Sequence, residues 1–422
     1  MLGQSFQDLL ARAKQATAQA RVREAYQLWT EVLRLKPTNV EALFNLGIIA
    51  MTNGDVATAV GLLQSAHQAA PTEPMVLLHL ANARAQTGDV QGQWDALQQA
   101  LAIDPYFMPA LLGQGQILYG QGKKRAAASM FRNAIKIAPL PSECPEWLKT
   151  PLAEAHQVVY DHMQELTAHL EGALGSTRAA LEASVLERWD EAVSILSGKT
   201  TPYHSVCNQL HVPRLPAIPF YNTELFPWVA DLEARTDDIR AEMMRALSDH
   251  GTDFTPYINY RAGQPVNQWQ ELNQSTRWAS YSLWRAGVPD KANLARCPAT
   301  AAALQAVEMA EIGGLCPNAM FSALSPHTAI PPHHGETNAR LVVHLPLIIP
   351  ENCLYRVGFE HRRWQEGKVL VFDDTIEHEA RNDSDLLRVV LIFDVWNPLL
   401  SKAERDMVNA ATSAVSAFYA AE

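Results

Sequence analysis

Two histidines and an arginine in the last quarter of the chain are the residues whose types and spacing best suit chemistry. His333 stands in PPHHGETN, His378 follows 45 residues later in FDDTIEHEARN, and Arg388 lies ten residues beyond that. Two imidazoles, with a further position left open or taken by a carboxylate, are the usual equipment of a non-haem Fe(II) site. A guanidinium beside them would hold a carboxylate through paired N–H donors. Taken alone, the pattern fits satisfied polar or surface histidines better than a metal site, because a pair at this separation arises readily by chance. His334 adjoins His333, and strand-like alternation turns it away from a metal. Asp373 and Asp374 read as structural groups, or as partners that orient an imidazole through its other N–H. His327 and His361 have no matching role.

The elements that must position these residues follow from hydropathy patterning. From Ala319 the runs AMFSAL, RLVVHLPLII, CLYRV, KVLVF and RVVLIFDVW alternate with turn-forming segments. Several short strands at this spacing argue for an antiparallel sandwich or barrel. Histidines near neighbouring strand ends suit a double-stranded β-helix, a jelly-roll (cupin-like) fold with a metal in its mouth. The first third is different. Pro37, Pro71, Pro105 and Pro139 recur every 34 residues, and Gly54, Gly88, Gly122 and Ala66, Ala100, Ala134 keep the same period. The proline ends a helix, the glycine turns between helices, and the alanine lets helices approach. The pattern resembles tetratricopeptide (TPR) repeats and predicts three helical pairs over about 5–138. The unit before Pro37 is less regular, with Ala20 in the place of the turn glycine. Such a solenoid offers a concave surface for a peptide or protein, and serves equally as a spacer or dimerisation element. Residues 146–200 continue with helical periodicity.

Composition excludes several classes. A net charge of -11 with no long basic run disfavours nucleic acid. No apolar stretch is long enough for a membrane span, and the N-terminus lacks the apolar region of a signal peptide. Five scattered cysteines form no CxxC pair, so neither a structural zinc site nor a disulfide framework is indicated. A reducing, cytoplasmic setting is expected.

The stretch from Pro331 to Pro398 resembles the core of the aspartyl/asparaginyl β-hydroxylase family. The match runs through P-H-x-G-x-x-N-x-R-L, H-L-x-L-x-x-P, W-x-E-G-K-x-L-x-F-D-D, E-H-E and R-x-x-x-x-x-D-V-W, with FYNTELFPWVADLEA, ELNQSTRW and YSLWRAG similar upstream. The resemblance implies an oxygenase that uses Fe(II), 2-oxoglutarate and O2 to hydroxylate an Asp/Asn-like side chain in a peptide or protein. His333 and His378 match the family's iron ligands. Arg388 matches the arginine that pairs with the distal carboxylate of 2-oxoglutarate, and Ser322 and His344 match other co-substrate contacts. Arg340 matches an arginine that faces the substrate carboxylate, while Asn273, Trp278 and Ser280 fall in the segment lining the substrate pocket. Gly335 stands where most 2-oxoglutarate oxygenases carry a third, carboxylate ligand, a feature this family shares; halogenases of the same superfamily also have a small residue there, which makes halogenation an alternative. Val342, Met320 and Asn273 replace basic residues of the animal enzymes, so the pocket is expected to be less cationic than theirs.

The expectation is therefore a multidomain α+β chain. It has TPR-like repeats over 1–140, a helical linker over 141–204, the oxygenase domain over 205–400 and a C-terminal helix over 401–422. Its partner is a peptide or protein substrate engaged by the repeats. The same chemistry on a small molecule or lipid, and a non-enzymatic scaffold, are the alternatives.

Overall fold

The computed structural model describes residues 2–249 and 254–420. The chain divides into two compact units, Met1–Thr200 and Thr201–Glu422.

The first unit holds four consecutive helix pairs: α1 (Leu2–Ala18) with α2 (Val22–Leu35), α3 (Val40–Thr52) with α4 (Val56–Ala69), α5 (Pro74–Gln86) with α6 (Val90–Ile103), and α7 (Met108–Gly120) with α8 (Lys124–Lys136). Three pairs are expected from the periodicity; the first, irregular unit makes the fourth. Ala20 takes φ 53°, the left-handed turn that Gly54, Gly88 and Gly122 make at φ 83°, 74° and 77°. Alanine adopts that conformation at a cost glycine avoids, and the Trp29 indole helps hold the pair by donating to Thr17 Oγ1 at 2.8 Å. Ala66, Ala100 and Ala134 are fully buried where helices meet. Asp55 and Asp89 cap α4 and α6, accepting from the amides of Thr58 and Gly92. At Gly115 a side chain would meet the Phe131 ring, so a bare Cα lets α7 and α8 close up. Helices α9 (Glu146–Arg178) and α10 (Ala183–Ser197) complete the unit.

Among the described residues the second unit has twelve strands: β1 (Phe220–Tyr221), β2 (Thr255–Pro256), β3 (Trp278–Arg285), β4 (Val288–Pro289), β5 (Ala319–Leu324), β6 (Thr328–His333), β7 (Arg340–Ile348), β8 (Cys353–Val357), β9 (Glu360–Arg362), β10 (Leu370–Phe372), β11 (His378–Asn382) and β12 (Arg388–Trp396). They form an eight-stranded sheet, ordered β1-β10-β7-β12-β5-β3-β2 with β4 on β3, and a four-stranded sheet, β6-β11-β8-β9. The named pairings within both sheets are antiparallel.

Period-two alternation assigns the large sheet's two faces. Phe321, Leu341, Val343, Leu391, Phe393 and Val395 enter one apolar core. Against them pack α11 (Val229–Glu233), α12 (Thr236–Asp249) and α14 (Pro298–Gln305), with α13 (Lys291–Arg296) beside them. Full burial of each such side chain contributes roughly 1.5–3 kcal/mol. The opposite face carries Ser322, Arg340, His344, Arg388 and Asp394, the polar residues of the same strands. A second apolar cluster, including Leu324, Val342 and Val390 from the large sheet and Tyr355, Val357 and Ala380 from the small one, joins the two sheets face to face. The C-terminal helix α15 (Lys402–Ala420) docks through Val408 near Trp396 and Leu400. Among the described residues no helix is long and apolar enough to cross a membrane.

Candidate active site

His333 ends β6 and His378 begins β11, and the antiparallel register sets them directly opposite one another. A register shift after His378 marks a bulge, a device that re-aims a side chain at the rim of a sheet. The ring centroids lie 4.0 Å apart. Each ring is anchored by a carbonyl two residues earlier: His333 Nδ1 lies 2.8 Å from the Pro331 oxygen, and His378 Nδ1 lies 3.1 Å from that of Ile376. A carbonyl only accepts, so both Nδ1 atoms carry the proton and both Nε2 lone pairs are left free. Burial pushes both pKa values down, and for His378 the neighbouring His333 adds to the effect. The pair is neutral at neutral pH, the state a metal ligand requires. Asp373 and Asp374 do not orient these imidazoles. Asp373 Oδ1 instead accepts from the amide and hydroxyl of Thr375.

No carboxylate joins the two rings; among the described residues, no three His, Cys, Asp or Glu side chains could hold a metal together. At Gly335 a Cβ would collide with the carboxylate of Asp374, while the Gly335 amide donates to the Asp374 carbonyl at 2.7 Å. The missing side chain at 335 is what allows Asp374 to seat.

Asp374 belongs to a buried ionic cluster around Arg340. Arg340 Nη1 lies 2.7 Å from Asp374 Oδ2, Nη2 lies 3.0 Å from Glu336 Oε2, and Nε lies 3.4 Å from Asp394 Oδ1. Burial opposes the charge on Arg340, but the carboxylates outweigh it and hold the guanidinium firmly protonated. Burial pushes Asp374 up to about 7 against the pull of Arg340. Asp394 Oδ2 also accepts from the amide of Asn318 at 2.7 Å.

Six residues before Asp394, on the same face of β12, Arg388 is in the opposite situation. It is 1% exposed, and its Nε and Nη1 have no hydrogen-bond partner. Its guanidinium lies 4.8 Å from the centre of the Trp364 ring, a cation–π contact. Burial pulls its pKa down to about 10. The Trp364 indole donates to His344 Nδ1 at 3.2 Å. An indole only donates, so His344 carries its proton on Nε2; burial and the nearby Arg388 charge keep that ring neutral. Trp278 Nε1 donates to Ser322 Oγ at 3.1 Å. The Tyr355 hydroxyl is buried without a partner.

Most of these groups, Trp364 excepted, line one cavity of about 350 Å³. Of the residues singled out in the sequence, His333, His378, Arg388, Ser322, His344, Arg340 and Trp278 all border it. Asn273 and Ser280 lie outside its lining: Asn273 Oδ1 accepts from the Tyr260 amide at 2.7 Å and closes a loop, and Ser280 is buried on β3 opposite Ser322. His334 lines the rim, with Nδ1 3.0 Å from the Thr375 carbonyl. Sequence reasoning did not assign Trp364, Tyr355, Trp269, Glu336 or Asp394 to the site. Trp364 and Asp394 sit inside recognisable motif blocks, but a motif does not say which side chains face a cavity, as Asp394 does, or back the residues that do, as Trp364 does.

An antiparallel β unit with two converging histidines and a buried, unpaired arginine defines a class of site whose groups could hold a metal and an anion. Comparison with known proteins places it further. Residues 233–398 match the family model for aspartyl/asparaginyl beta-hydroxylase, and residues 10–74 match a tetratricopeptide repeat. The second unit is thus a domain of the aspartyl/asparaginyl beta-hydroxylase family, preceded by TPR repeats. The chain is 38% identical over 197 residues to ornithine lipid ester-linked acyl 2-hydroxylase of Rhizobium tropici, which covers 44% of this chain and 63% of that protein. It is 38% identical over 138 residues to mouse aspartyl/asparaginyl beta-hydroxylase, covering 32% of this chain and 18% of that protein. Human aspartate beta-hydroxylase domain-containing protein 2 is 36% identical over 204 residues, 47% of this chain and 52% of that one. The chain therefore spans less than two thirds of each of these relatives.

Proposed function

We propose that this protein is an Fe(II)- and 2-oxoglutarate-dependent hydroxylase whose second unit is a double-stranded β-helix. The observation that carries the proposal is Arg388. A buried guanidinium left without an acidic partner costs several kcal/mol, and a pure scaffold would have no use for it. A dicarboxylate co-substrate satisfies it when bound. His333 and His378 would hold the iron through Nε2. Arg388, the Nε2–H of His344 and the Ser322 hydroxyl would receive the far carboxylate of 2-oxoglutarate. Iron, 2-oxoglutarate and O2 together supply the oxidising power to insert one oxygen atom into a C–H bond.

The remaining work belongs to the chain. The carbonyls of Pro331 and Ile376 fix the imidazole tautomers. Trp269 packs edge-on against His333 at 5.0 Å, and Phe372 lies 5.9 Å from His378, so water reaches the rings from few directions. Trp364 holds His344 in the tautomer that donates.

The substrate we propose is a peptide or protein side chain, with the repeats as the docking unit. Arg340 does not support an acidic one, because three carboxylates already surround it. The same chemistry on a lipid is a second reading, favoured by the similarity to the Rhizobium tropici lipid hydroxylase. The test of the site is metal stoichiometry. After anaerobic loading with Fe(II), the full chain should retain one iron, and the His333→Ala/His378→Ala double variant none. Equal iron in both would remove these histidines from the proposal.

A further inference from the structure

The cavity is electrically polarised along β12. Arg388 and Asp394 share one face of that strand, six residues or about 20 Å apart. At the Arg388 end stands an uncompensated cation. At the other end three carboxyl groups (Glu336, Asp374 and Asp394) surround the single guanidinium of Arg340; with Asp374 raised to about 7, the surplus is between one and two negative charges at neutral pH. Asp374 is 6% exposed, and its Oδ1 has no hydrogen-bond partner although the residue borders the cavity.

Part of the cavity wall is aromatic. Tyr257, Tyr260, Trp269 and Trp278 all line the cavity, and Tyr257 stacks on Trp278 at 4.2 Å. Although Tyr257 keeps 43% of its surface exposed, its hydroxyl is pushed up to about 12, by burial first and then by Glu336 and Asp394. The phenol is therefore within electrostatic reach of the acidic cluster. Met320 and Val342 add apolar surface and no charge. Ring faces opposite carboxylates attract a cation twice over, through the ring quadrupole and through charge-assisted hydrogen bonds.

We infer that the substrate group received at the acidic end is a cation, a primary ammonium or guanidinium, entering between Tyr257 and the carboxylates of Glu336 and Asp374. The inference rests on the hydroxylase reading for what happens to that substrate, but not for its binding. An ammonium has two sources, a basic side chain of a peptide and the headgroup of an amine-bearing lipid. A substrate carboxylate directed at Arg340 is the competing ligand.

The test titrates the full chain, loaded anaerobically with Fe(II) and 2-oxoglutarate, with three matched probes while following tryptophan fluorescence. The probes are N-acetyl-lysine methylamide, its uncharged norleucine counterpart and its anionic glutamate counterpart. The lysine probe should bind about tenfold more tightly than the norleucine probe, the yield of a single charge-assisted hydrogen bond, and the glutamate probe more weakly than either. Glu336→Gln, at a side chain 40% exposed, should remove most of the lysine preference. Hexylammonium binding as tightly as the lysine probe would point to a headgroup amine, and weaker binding to a peptide. Equal binding of the three probes, no binding of any, a preference for glutamate, or an unchanged preference in Glu336→Gln each overturns the inference. The visible iron–2-oxoglutarate band recorded in the same cuvette separates the two claims. Cation preference without the band sinks the hydroxylase reading alone, and the band without cation preference sinks this inference alone.

Discussion

Replacing Arg388 by methionine should make the ligand-free protein more stable while destroying its response to 2-oxoglutarate. The guanidinium is 1% exposed, and desolvation is the chief reason its pKa is pulled down to about 10. A tenfold loss of proton affinity corresponds to about 1.4 kcal/mol, so the charged form costs on the order of 3 kcal/mol in the empty fold. For a base whose folded pKa lies below its unfolded one, the penalty is fully present at neutral pH. It fades only as pH climbs past about 10. Methionine fills much of the volume without the charge but forfeits the contact with Trp364, so the net gain is about 1–3 kcal/mol. In a unit of this size that raises the melting temperature by roughly 2–10 °C. The wild type should recover a similar amount from ligand, about 2.7 kcal/mol at a hundredfold excess over Kd. The assay is thermal unfolding under nitrogen, with and without Fe(II) and 2-oxoglutarate, of both proteins. A less stable Arg388→Met that still gains from 2-oxoglutarate would refute the reasoning, because Arg388 would then be a structural cation.

Three further outcomes follow from the same geometry. Trp364→Phe keeps a ring over Arg388 but drops the donor to His344 Nδ1; 2-oxoglutarate should bind about tenfold more weakly, by calorimetry, as the tautomer is freed. Gly335→Ala drives a Cβ into the Asp374 carboxylate and should cost roughly 1–3 kcal/mol in urea unfolding, whereas an unchanged midpoint would mean Asp374 moves freely. Burial lowers the pKa of both His333 and His378, so protons compete with iron only below the ordinary histidine range; retained iron should stay level from pH 8 to about 6.5 and fall below that, and a loss already half complete at pH 7 would contradict it.

The repeats were legible because their signal is local. Proline, turn glycine and small alanine each act within their own helix pair, and a 34-residue period exposes them. Only the first pair escaped, where alanine does the work of glycine. The long strands β5, β7 and β12 were legible from their apolar alternation. The strands that carry the histidines were not. β6 reads TAIPPH and β11 reads HEARN, one broken by prolines and the other polar. β6 is tolerated because it is the edge of its sheet, where a missing N–H breaks no ladder. The motif named His333, His378, Arg388 and Arg340, yet it was silent on the partners of Arg340, which arrive from Glu336, Asp374 and Asp394 on three different segments. Charge balance in a cavity is a tertiary property, and Asn273 shows the converse: a residue inside a pocket-lining segment can serve only its own loop.

The central claim is that two neutral imidazoles and one unpaired arginine hold iron and 2-oxoglutarate together. Anaerobic titration of the metal-free chain with Fe(II) and 2-oxoglutarate tests it directly, through the weak visible charge-transfer band that forms only when the keto acid chelates the metal. The wild type should develop that band, and His378→Ala should lose it. Folded wild-type protein that shows no band would contradict the claim.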